Sequence, residues 1–538
     1  MLESYINKKS IFKKVLCLTI TAVITITTVL GCGKPKTQNS NASKSNKVYT
    51  YRMVMNNFGP WDKNPEMVQY WEKHFKNVKF DLVYVENSNA ADKINLMISS
   101  GDIPDVLQYI DQQKYYEQGI IGGWDEQFFR KNAPNIAKYI DSTDPTAWNI
   151  AKFDGKLMYS IPGFRLYNTI PNPVWWRTDW LKKLGINEIP QKLEDVEAAF
   201  YKIAKGDPNG NGKKVYALSN TGLDSIYGAF GTMREMWLLG DDGKVVLGDI
   251  TPGAKEAVTL LRKWYKDGVL DPEFITGENQ GGYWAISHSF LNDRIGYSGI
   301  GSFYHWANTT DESGGTYLGS GEAGSWKKAG KTGTYAPGYP PIGPDGKRGT
   351  KQGDFRTLRT AFSKKLVKDT DRFARLLQVI DELNCKDTET SLSVGRGLYG
   401  KYSTITKDFR GIPTYKSLTG ETDLAKLGAI GAANTLAFIE EGGNLDYQKV
   451  VYGQEYTWAQ ENLKDKSFGY KSAIFGALPS QTKYSAELGK ILDSGFTSII
   501  TGDKPIDYFD EMVANWKKAG GDQLTKEANE LYLKQSKK

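Results

Sequence analysis

The stretch VYTYRMVM occupies residues 48–55, and the stretch VKFDLVYV occupies residues 78–85. Both are short and rich in β-branched and aromatic side chains, which is typical of buried strands. Residues 65–74, between them, have the apolar spacing that predicts a helix. A strand, a helix and a strand in this order imply a parallel sheet with right-handed crossovers. The first folded part of the chain is therefore predicted to be α/β.

The same alternation continues with a helix predicted over residues 90–99 and a third short strand over 105–109. Ligands of such sheets bind beyond the carboxyl ends of the strands. Trp61 and Tyr109 are predicted near this edge, because they follow the first and third strands. Asp62 is a candidate acceptor by its position in the same loop.

A second group of elements predicts a second lobe. Residues 174–185, VWWRTDWLKKLG, contain a strand and a helix capped by Asp179, and we place the first passage between lobes here. The strand-like residues 294–300 are expected to return the chain to the first lobe. The amphipathic helix predicted over 371–383 is assigned to the second lobe.

These passages give predicted ranges for the two lobes. Lobe 1 comprises residues 48–165 and 298–360, and lobe 2 comprises residues 166–297 and 361–538. With 538 residues, 40% of them hydrophobic, the chain is long enough to bury two cores.

The segment before the first strand has the features of an export signal. Four lysines precede an uncharged run over residues 15–30, and Gly31 and Cys32 follow. This pattern predicts a signal peptide over residues 1–31. Residues 29–32, VLGC, resemble the lipobox of bacterial lipoproteins, whose cysteine receives a diacylglyceryl group and becomes the first mature residue.

Two acyl chains would hold the protein stably at a membrane, with its body on the extracellular side. The alternative is an uncleaved transmembrane anchor over residues 15–33, which is about long enough to span a bilayer. Both alternatives place the body on the same side. Residues 32–47 are predicted to be the lipidated cysteine and a flexible linker, because the polar run KPKTQNSNASKSNK lacks large apolar side chains.

Charge and cysteine content exclude two further possibilities. The formal charge is +7, of which four lysines and one glutamate of the leader contribute +3, leaving +4 for the mature chain. The basic residues form no block or stripe, so we predict no nucleic-acid binding. Cys17 leaves with the leader and Cys32 is the lipid site, so only Cys385 remains and no intramolecular disulfide is expected.

Several short stretches together resemble the family 1 extracellular solute-binding proteins of ABC importers, in the branch that includes alginate-oligosaccharide-binding proteins and LplA-like lipoproteins. The matching stretches are SGDIPD at 100–105, APNI at 133–136, DGK at 154–156, IP at 161–162, RTDWLKKLG at 177–185, PIGPDGK at 341–347, GRGLYG at 395–400 and ITG at 500–502.

The resemblance implies a two-lobe, periplasmic-binding-protein-like (Venus flytrap) α/β fold with mostly parallel sheets flanked by helices. It implies a hinge crossed more than once, and a solute enclosed between the lobes. A solute that touches both lobes stabilises the closed form, and a membrane permease then distinguishes loaded from empty protein. The expected partners are a carbohydrate and the transmembrane subunits of an ABC permease, with the membrane contacted through the lipid only and the protein a monomer.

Aromatic and planar polar side chains are the expected ligand-binding groups, because sugar rings present both apolar faces and hydroxyls. Tyr399 is taken from the resemblance, since it lies in the block similar to the family's glycine-rich ligand loop. For each ring, packing in a core or between lobes is the alternative, and for Arg177 a buried ion pair is equally expected. With Trp61, Asp62 and Tyr109, the candidates are Phe164, Arg165, Arg177, Trp284, Tyr304, Trp306 and Tyr399.

Residues 207–213, DPNGNGK, resemble the first half of an EF-hand calcium loop. The candidate ligands are Asp207, Asn209, Asn211 and Lys213. The resemblance extends to the calcium loop of the alginate-binding branch, but that loop continues with acidic residues, whereas Val215 and Tyr216 follow here. We therefore expect an ordinary Asx turn and no cofactor, with calcium as the alternative.

Two other functions stay open from the sequence. A tethered glycan-degrading enzyme would also expose aromatic rings, but the three histidines form no local metal motif, no Gly-x-Ser-x-Gly elbow is present, and we expect no catalysis. The same fold binding a peptide or another organic solute is the second alternative, since aromatic clefts also suit peptides.

Overall fold

The computed structural model describes residues 47–57, 61–86, 90–108, 110–276, 286–307, 321–408, 411–421, 423–433 and 435–536. The strands are β1 Tyr49–Asn57, β2 Val78–Glu86, β3 Val106–Gln108, β4 Ile161–Phe164, β5 Val174–Arg177, β6 Tyr216–Leu218, β7 Trp237–Leu239, β8 Val245–Leu247, β9 Ile295–Ser298, β10 Tyr335–Gly338, β11 Thr350–Lys351, β12 Arg356–Phe362, β13 Ser403–Lys407, β14 Pro413–Ser417 and β15 Gly469–Tyr470.

Helices alternate with strands over residues 49–108, as the sequence predicts, and beyond them helices also occur in runs. They are α1 Glu66–Phe75, α2 Ala90–Ser99, α3 Gln112–Glu117, α4 Glu126–Asn132, α5 Pro134–Thr143, α6 Ala147–Ile150, α7 Thr178–Lys183, α8 Leu193–Lys205, α9 Leu223–Ala229, α10 Pro252–Lys266, α11 His288–Leu291, α12 Phe303–Trp306, α13 Gly321–Lys328, α14 Lys364–Lys368, α15 Thr370–Cys385, α16 Thr388–Arg396, α17 Leu424–Ala429, α18 Leu445–Val451, α19 Gly453–Asn462, α20 Gln481–Thr501, α21 Tyr508–Trp516 and α22 Asp522–Ser536.

Two main sheets organise the fold. The first has the strand order β2-β1-β3-β12-β4, and the second has the order β10-β5-β9-β6. In the first sheet β12 runs against all the others. In the second sheet β5 is the strand that runs against its neighbours. Each main sheet is therefore parallel except for one reversed strand.

Each main sheet has its own hydrophobic core. The first core packs Tyr51 and Ile161 of the first sheet against helices α1, α4, α5 and α15. The second core packs Trp176 and Tyr297 of the second sheet against α8, α10 and α20. The Phe200 ring lies 5.3 Å from the Trp264 ring and 5.1 Å from the Tyr297 ring, so an aromatic cluster lies within this core.

The chemistry of the helix ends explains why α10 begins where it does. Thr251 is its N-cap, with its hydroxyl oxygen accepting from the Ala254 N–H at 3.4 Å, and Pro252 is the first helical residue. Ala257, Val258, Leu261 and Trp264 follow at spacings of three and four, and all are buried. This apolar stripe faces the second core.

Several segments lie in the other half of the molecule from the one expected. Strand β9 pairs with β5 and β6, so the expected return to the first lobe at residues 294–300 is wrong. Helix α15 packs in the first core through Phe373 and Leu377, so its assignment to the second lobe is wrong too. A short buried strand or an amphipathic helix has the same local pattern whichever sheet it joins. Strand β10, in the range predicted for lobe 1, pairs with β5 of the second sheet, and Leu427 and Phe438, in the range predicted for lobe 2, pack in the first core. The predicted ranges are wrong at these positions as well, and the remaining bounds stay predictions.

Three connections pass between the two cores, and they are bonded to one another in a small region that we call the hinge patch: residues 168–172, 350–352 and 468–470. The Thr350 N–H donates to the Phe468 carbonyl at 3.1 Å, and the Thr350 hydroxyl donates to the Asn172 carbonyl at 2.6 Å. The Gln352 side-chain amide donates to the Asn168 carbonyl at 2.7 Å. The multiple hinge crossings implied by the resemblance are thus present.

None of the helices formed by the described residues is both long enough and apolar enough to cross a membrane.

Candidate functional site

A cleft of about 900 Å³ lies between parts of the two halves. The first half contributes residues 110–113, 149–150, 152–155, Arg165, Asn168, Gly353, Asp354 and 356–358. The second half contributes residues 475–477 and Pro479, together with Glu527, Glu530, Leu531, Lys534 and Gln535 of helix α22. A bound molecule in this cleft would therefore touch both halves.

The direction of the strands explains why the cleft lies here. Strands β3 and β4 are parallel and end at Gln108 and Phe164, and the reversed strand β12 begins beside them at Arg356. The loops that follow β3 and β4 and the loop that precedes β12 therefore lie at one edge of the first sheet. This is the edge beyond which open α/β sheets bind their ligands.

Gln112 supplies a neutral hydrogen-bonding group to the cleft. It is 8% exposed, and its side-chain N–H donates to the Leu358 carbonyl at 3.1 Å. Among the residues that the structure describes, no group donates to its Oε1. This oxygen is itself shielded from solvent, so Gln112 forms a neutral, buried part of the cleft wall.

The two arginines of the cleft are bonded to carboxylates of the protein itself. The Arg165 Nη2 donates to Glu440 Oε2 at 3.2 Å, and its Nε lies 3.1 Å from Oε1 of the same residue. Arg356 grips Asp354 with two hydrogen bonds of 3.1 and 2.9 Å. Hydrogen bonding to Asp354 raises the pKa of Arg356 above its ordinary value.

Phe475 presents an aromatic ring from the second half. Its backbone N–H donates to Gln535 Oε1 at 2.9 Å, and its carbonyl accepts from the Gln535 side-chain N–H at 2.6 Å. The Arg356 guanidinium, from the first half, lies 5.9 Å from the centre of the Phe475 ring. Phe153 lines the other half of the cleft and is stacked on Tyr159.

Of the residues proposed from the sequence, Arg165 lines this cleft. Asp62 is exposed, and its N–H donates to the Ala429 carbonyl at 3.1 Å. Trp61 is half-buried against the first core, with its ring 5.9 Å from Tyr84. Phe164 is fully buried and stacks on Phe355 at 5.0 Å, which is the core packing that was its alternative.

Tyr304 and Trp306 lie in the short helix α12 and are buried. The Trp306 ring stacks on Trp175 at 5.1 Å with an angle of 9° between the planes. The Tyr304 ring lies 5.4 Å from both Tyr167 and Tyr452. Both rings therefore serve packing in this structure, and their role in ligand binding stays a prediction.

Tyr399 lies outside the cleft residues. Its backbone N–H donates to the Ser393 hydroxyl at 2.9 Å, and its half-buried ring packs on the small cluster that contains Tyr415 and Tyr447. Tyr109, Trp284 and the lipidation candidate Cys32 lie outside the described residues.

Arg177 forms the buried ion pair that was its alternative. Its side chain is 5% exposed, donates to both oxygens of Asp179 at 2.9 and 2.7 Å, and donates to Asp293 at 2.5 Å. Asp179, expected as the N-cap of helix α7, instead lies inside its first turn with Arg177 as the N-cap. Arg177 does not line the cleft between the halves.

The loop at residues 207–213 closes by bonds within the protein. The Asp207 carboxylate accepts from the N–H groups of Asn211 and Gly212 at 3.1 and 2.8 Å. The Asn209 amide donates to the Asp293 carbonyl at 3.0 Å, and the Lys183 ammonium donates to the Pro208 carbonyl at 2.6 Å. These are the bonds of an Asx turn that is tied to its surroundings.

The donor set of this loop suits calcium poorly. Asp207 is its single carboxylate, Asn211 Oδ1 accepts from the Lys213 N–H at 3.0 Å, and Val215, which follows two residues later, is buried and apolar. Calcium sites take six to eight oxygen ligands, several of them carboxylates. Among the described residues no group of three His, Cys, Asp or Glu side chains is placed to hold a metal ion.

Sequence reasoning missed Gln112, Arg356 and Phe475. None of them carries a local signal, because the cleft brings together positions more than a hundred residues apart. The one available clue was the block DGK at 154–156, whose neighbours Lys152 and Phe153 do line the cleft.

Two sheets, each with one reversed strand and its own core, joined by a hinge and separated by a cleft, define a periplasmic-binding-protein-like fold. Residues 63–353 match the family described as "Bacterial extracellular solute-binding protein". The chain belongs to this family, whose members bind solutes and are not enzymes.

Individual proteins show the same similarity over nearly the whole length. Lipoprotein LipO of Bacillus subtilis is 24% identical, over 97% of this chain and 98% of LipO. The polygalacturonan/rhamnogalacturonan-binding protein YtcQ of Bacillus subtilis is 23% identical, over 86% of both chains. The structure of Streptococcus pneumoniae FusA in complex with kestose has a TM-score of 0.63 and 20% identity, and the match covers 90% of this chain and 99% of FusA.

Proposed function

We propose that this protein is the solute-binding component of an ABC importer, and that it captures an oligosaccharide between its two halves and delivers it to the permease. The observation that carries the proposal is the cleft of about 900 Å³, lined by both halves. A solute that bridges the halves stabilises the closed form relative to the open one, so binding shifts the equilibrium between them.

The chemistry of the cleft supports a carbohydrate. Phe475 and Phe153 offer flat apolar surfaces for the C–H faces of sugar rings, and the neutral amides of Gln112, Gln113 and Asn149 also line the cleft. FusA, which is similar in fold, was solved in complex with kestose. YtcQ, which is similar in sequence, is named a polygalacturonan/rhamnogalacturonan-binding protein. Their ligands support the class of solute.

We also propose that Cys32 carries the lipid that holds the protein at the extracellular face of the cytoplasmic membrane, as a monomer. The VLGC stretch and the similarity to a lipoprotein over 97% of the chain support this anchor. Replacement Cys32→Ser is expected to move the protein from the membrane fraction to the medium. Retention of that variant in the membrane would favour an uncleaved anchor instead.

Calorimetry with the full chain in detergent tests the proposed function. A panel of plant and bacterial oligosaccharides and a panel of oligopeptides are titrated, and at least one saccharide is expected to bind. Phe475→Ala is expected to weaken that binding by about tenfold, because the ring loses its contact with a sugar face. Tyr70→Ala, at an exposed ring on helix α1, is the matched control and is expected to bind normally. Binding of peptides alone would reject the carbohydrate.

A further inference from the structure

The charged groups of the cleft are neutralised by the protein itself. The acidic side chains that line it are Asp111, Asp154, Asp354, Glu527 and Glu530, and the basic ones are Lys152, Arg165, Arg356 and Lys534. Acids therefore outnumber bases by one. A cleft built for a polyanionic solute would have an excess of uncompensated cations.

Each of the inner cations already has a carboxylate partner. Lys152 lies 2.7 Å from Glu126, which is outside the cleft lining, and Arg356 holds Asp354 with two hydrogen bonds. Arg165 holds Glu440, whose side chain is 10% exposed. Lys534 is the remaining cation, and it is exposed on helix α22, where solvent and salt screen it.

A uronic acid carboxylate that bound Arg165 would either displace Glu440 or place a second carboxylate beside it on the same guanidinium. Displacement would leave the Glu440 carboxylate, 10% exposed, without its cation, and sharing would bring two like charges close together. At Arg356 the same displacement would release Asp354, to which the Arg356 backbone N–H also donates at 2.8 Å. Each arginine therefore offers an acidic sugar a charge that a protein carboxylate already compensates.

The groups that do remain available are neutral. Gln112, Gln113 and Asn149 line the cleft with neutral amides, and the Phe475 ring lines it from a backbone segment held by two hydrogen bonds to Gln535. Hydroxyls and C–H faces satisfy these groups, and every neutral sugar has both.

We infer that the cleft selects uncharged oligosaccharides over those that contain uronic acids. The inference rests on the proposed function and narrows its class of solute. A protein that binds polyuronates needs cations that are free to pair with the ligand, whereas Arg165 and Arg356 of this cleft are paired with Glu440 and Asp354.

Calorimetry of the full chain in detergent with kestose, a neutral xylo-oligosaccharide and a trimer of galacturonic acid tests the inference. At least one neutral saccharide is expected to bind about 100-fold or more tightly than the galacturonate trimer, in dissociation constant. The affinity for the neutral saccharide is expected to change less than about threefold between roughly 50 and 500 mM salt.

The variant Glu440→Gln provides the second measurement, because it frees Arg165 while keeping the shape of the side chain. It is expected to gain about tenfold or more in affinity for the galacturonate trimer. Glu188→Gln, an exposed position outside the cleft, removes the same charge and is expected to leave this affinity unchanged.

The outcomes separate the inference from the proposed function. If the galacturonate trimer binds the unaltered chain more tightly than every neutral saccharide, with an affinity that falls steeply with salt, the inference is overturned and the proposed function stands. If no saccharide of either kind binds, the proposed function is rejected and the inference with it. If Glu440→Gln folds and gains no affinity for the acid, ion pairing is not the cause of the selectivity and the inference is overturned.

Discussion

Arg177 organises one side of the second half from a single buried position. Its guanidinium bonds to Asp179 and Asp293 and lies 4.6 Å from the Trp180 ring and 5.0 Å from the Trp326 ring. The planar group can make both carboxylate contacts and both ring contacts at once, which an ammonium cannot. This residue type is therefore required for packing as well as for charge.

Replacement Arg177→Lys is expected to lower the free energy of unfolding by about 2–4 kcal/mol, because the buried guanidinium is lost and the partly buried Asp179 and Asp293 carboxylates lose hydrogen bonds. Arg52→Lys is the matched control. Arg52 also pairs with two aspartates, Asp81 and Asp102, but its side chain is 38% exposed, and a loss below about 1 kcal/mol is expected. Urea denaturation of both variants measures the difference, and equal losses would contradict this account.

Asp293 gives the same cluster a dependence on pH. Burial alone would raise the pKa of Asp293, but hydrogen bonds from Lys331 and Arg177 outweigh it and hold the pKa below its ordinary value. A lowered pKa means stability that is present above the unfolded pKa and is lost as pH falls through the folded pKa. Asp293→Asn is expected to be about 1–2 kcal/mol less stable at neutral pH, a difference that shrinks in acid. Denaturation at about pH 7 and about pH 3 tests the convergence; a constant gap would argue against it.

Helix α20 contains two glycines in different surroundings. A Cβ at Gly489 would meet nothing within 4 Å, whereas a Cβ at Gly495 would lie 2.3 Å from the Sδ of the buried Met512. Gly489→Ala is expected to stabilise the protein by about 0.5–1 kcal/mol, because alanine loses less backbone entropy in a helix. Gly495→Ala is expected to destabilise it by about 1–3 kcal/mol through overpacking. Thermal denaturation compares the two, and the prediction fails if both shifts have the same sign.

The loop at residues 207–213 is held by bonds to Lys183 and to the Asp293 carbonyl. The midpoint of thermal unfolding of the protein is therefore expected to be the same with and without a calcium chelator. Lys183→Met is expected to lower stability by about 1 kcal/mol, since the Pro208 carbonyl loses its donor. Lys182→Met, at the neighbouring exposed position, is the control and is expected to have no effect. A clear fall in the midpoint on adding chelator would show that a metal contributes after all.

At this scale the sequence predicts elements well and their partners poorly. The first three strands and the helices between them follow the predicted order, because their periodicity is a local property. Strand β9 and helix α15 were placed in the wrong half, since pairing depends on a partner strand or core more than a hundred residues away. The same limit applies to Gln112 and Phe475, which meet only because the whole fold brings them to one cleft.

For the whole molecule, the hinge patch is the feature that would couple the two halves. Saturation with an oligosaccharide that binds is expected to reduce the radius of gyration in X-ray scattering, because the closed form is the one that contacts the solute from both sides. A saccharide that calorimetry shows not to bind is the control. Unchanged scattering with every ligand that binds would rule out closure.

The two cores have one more consequence, for the way the chain acquires its structure. The first core uses residues from Tyr51 to Ile439, and the second uses residues from Val174 to Ala528. Neither half is a continuous piece, so a chain that emerges with its amino terminus leading must hold incomplete apolar faces until almost all of it is available. Chains that depend on such long-range contacts fold slowly, and their exposed apolar faces can aggregate before folding is complete. Removal of helix α22, which contributes Leu524 and Ala528 to the second core, would therefore leave the second half unable to mature, however complete the first half is.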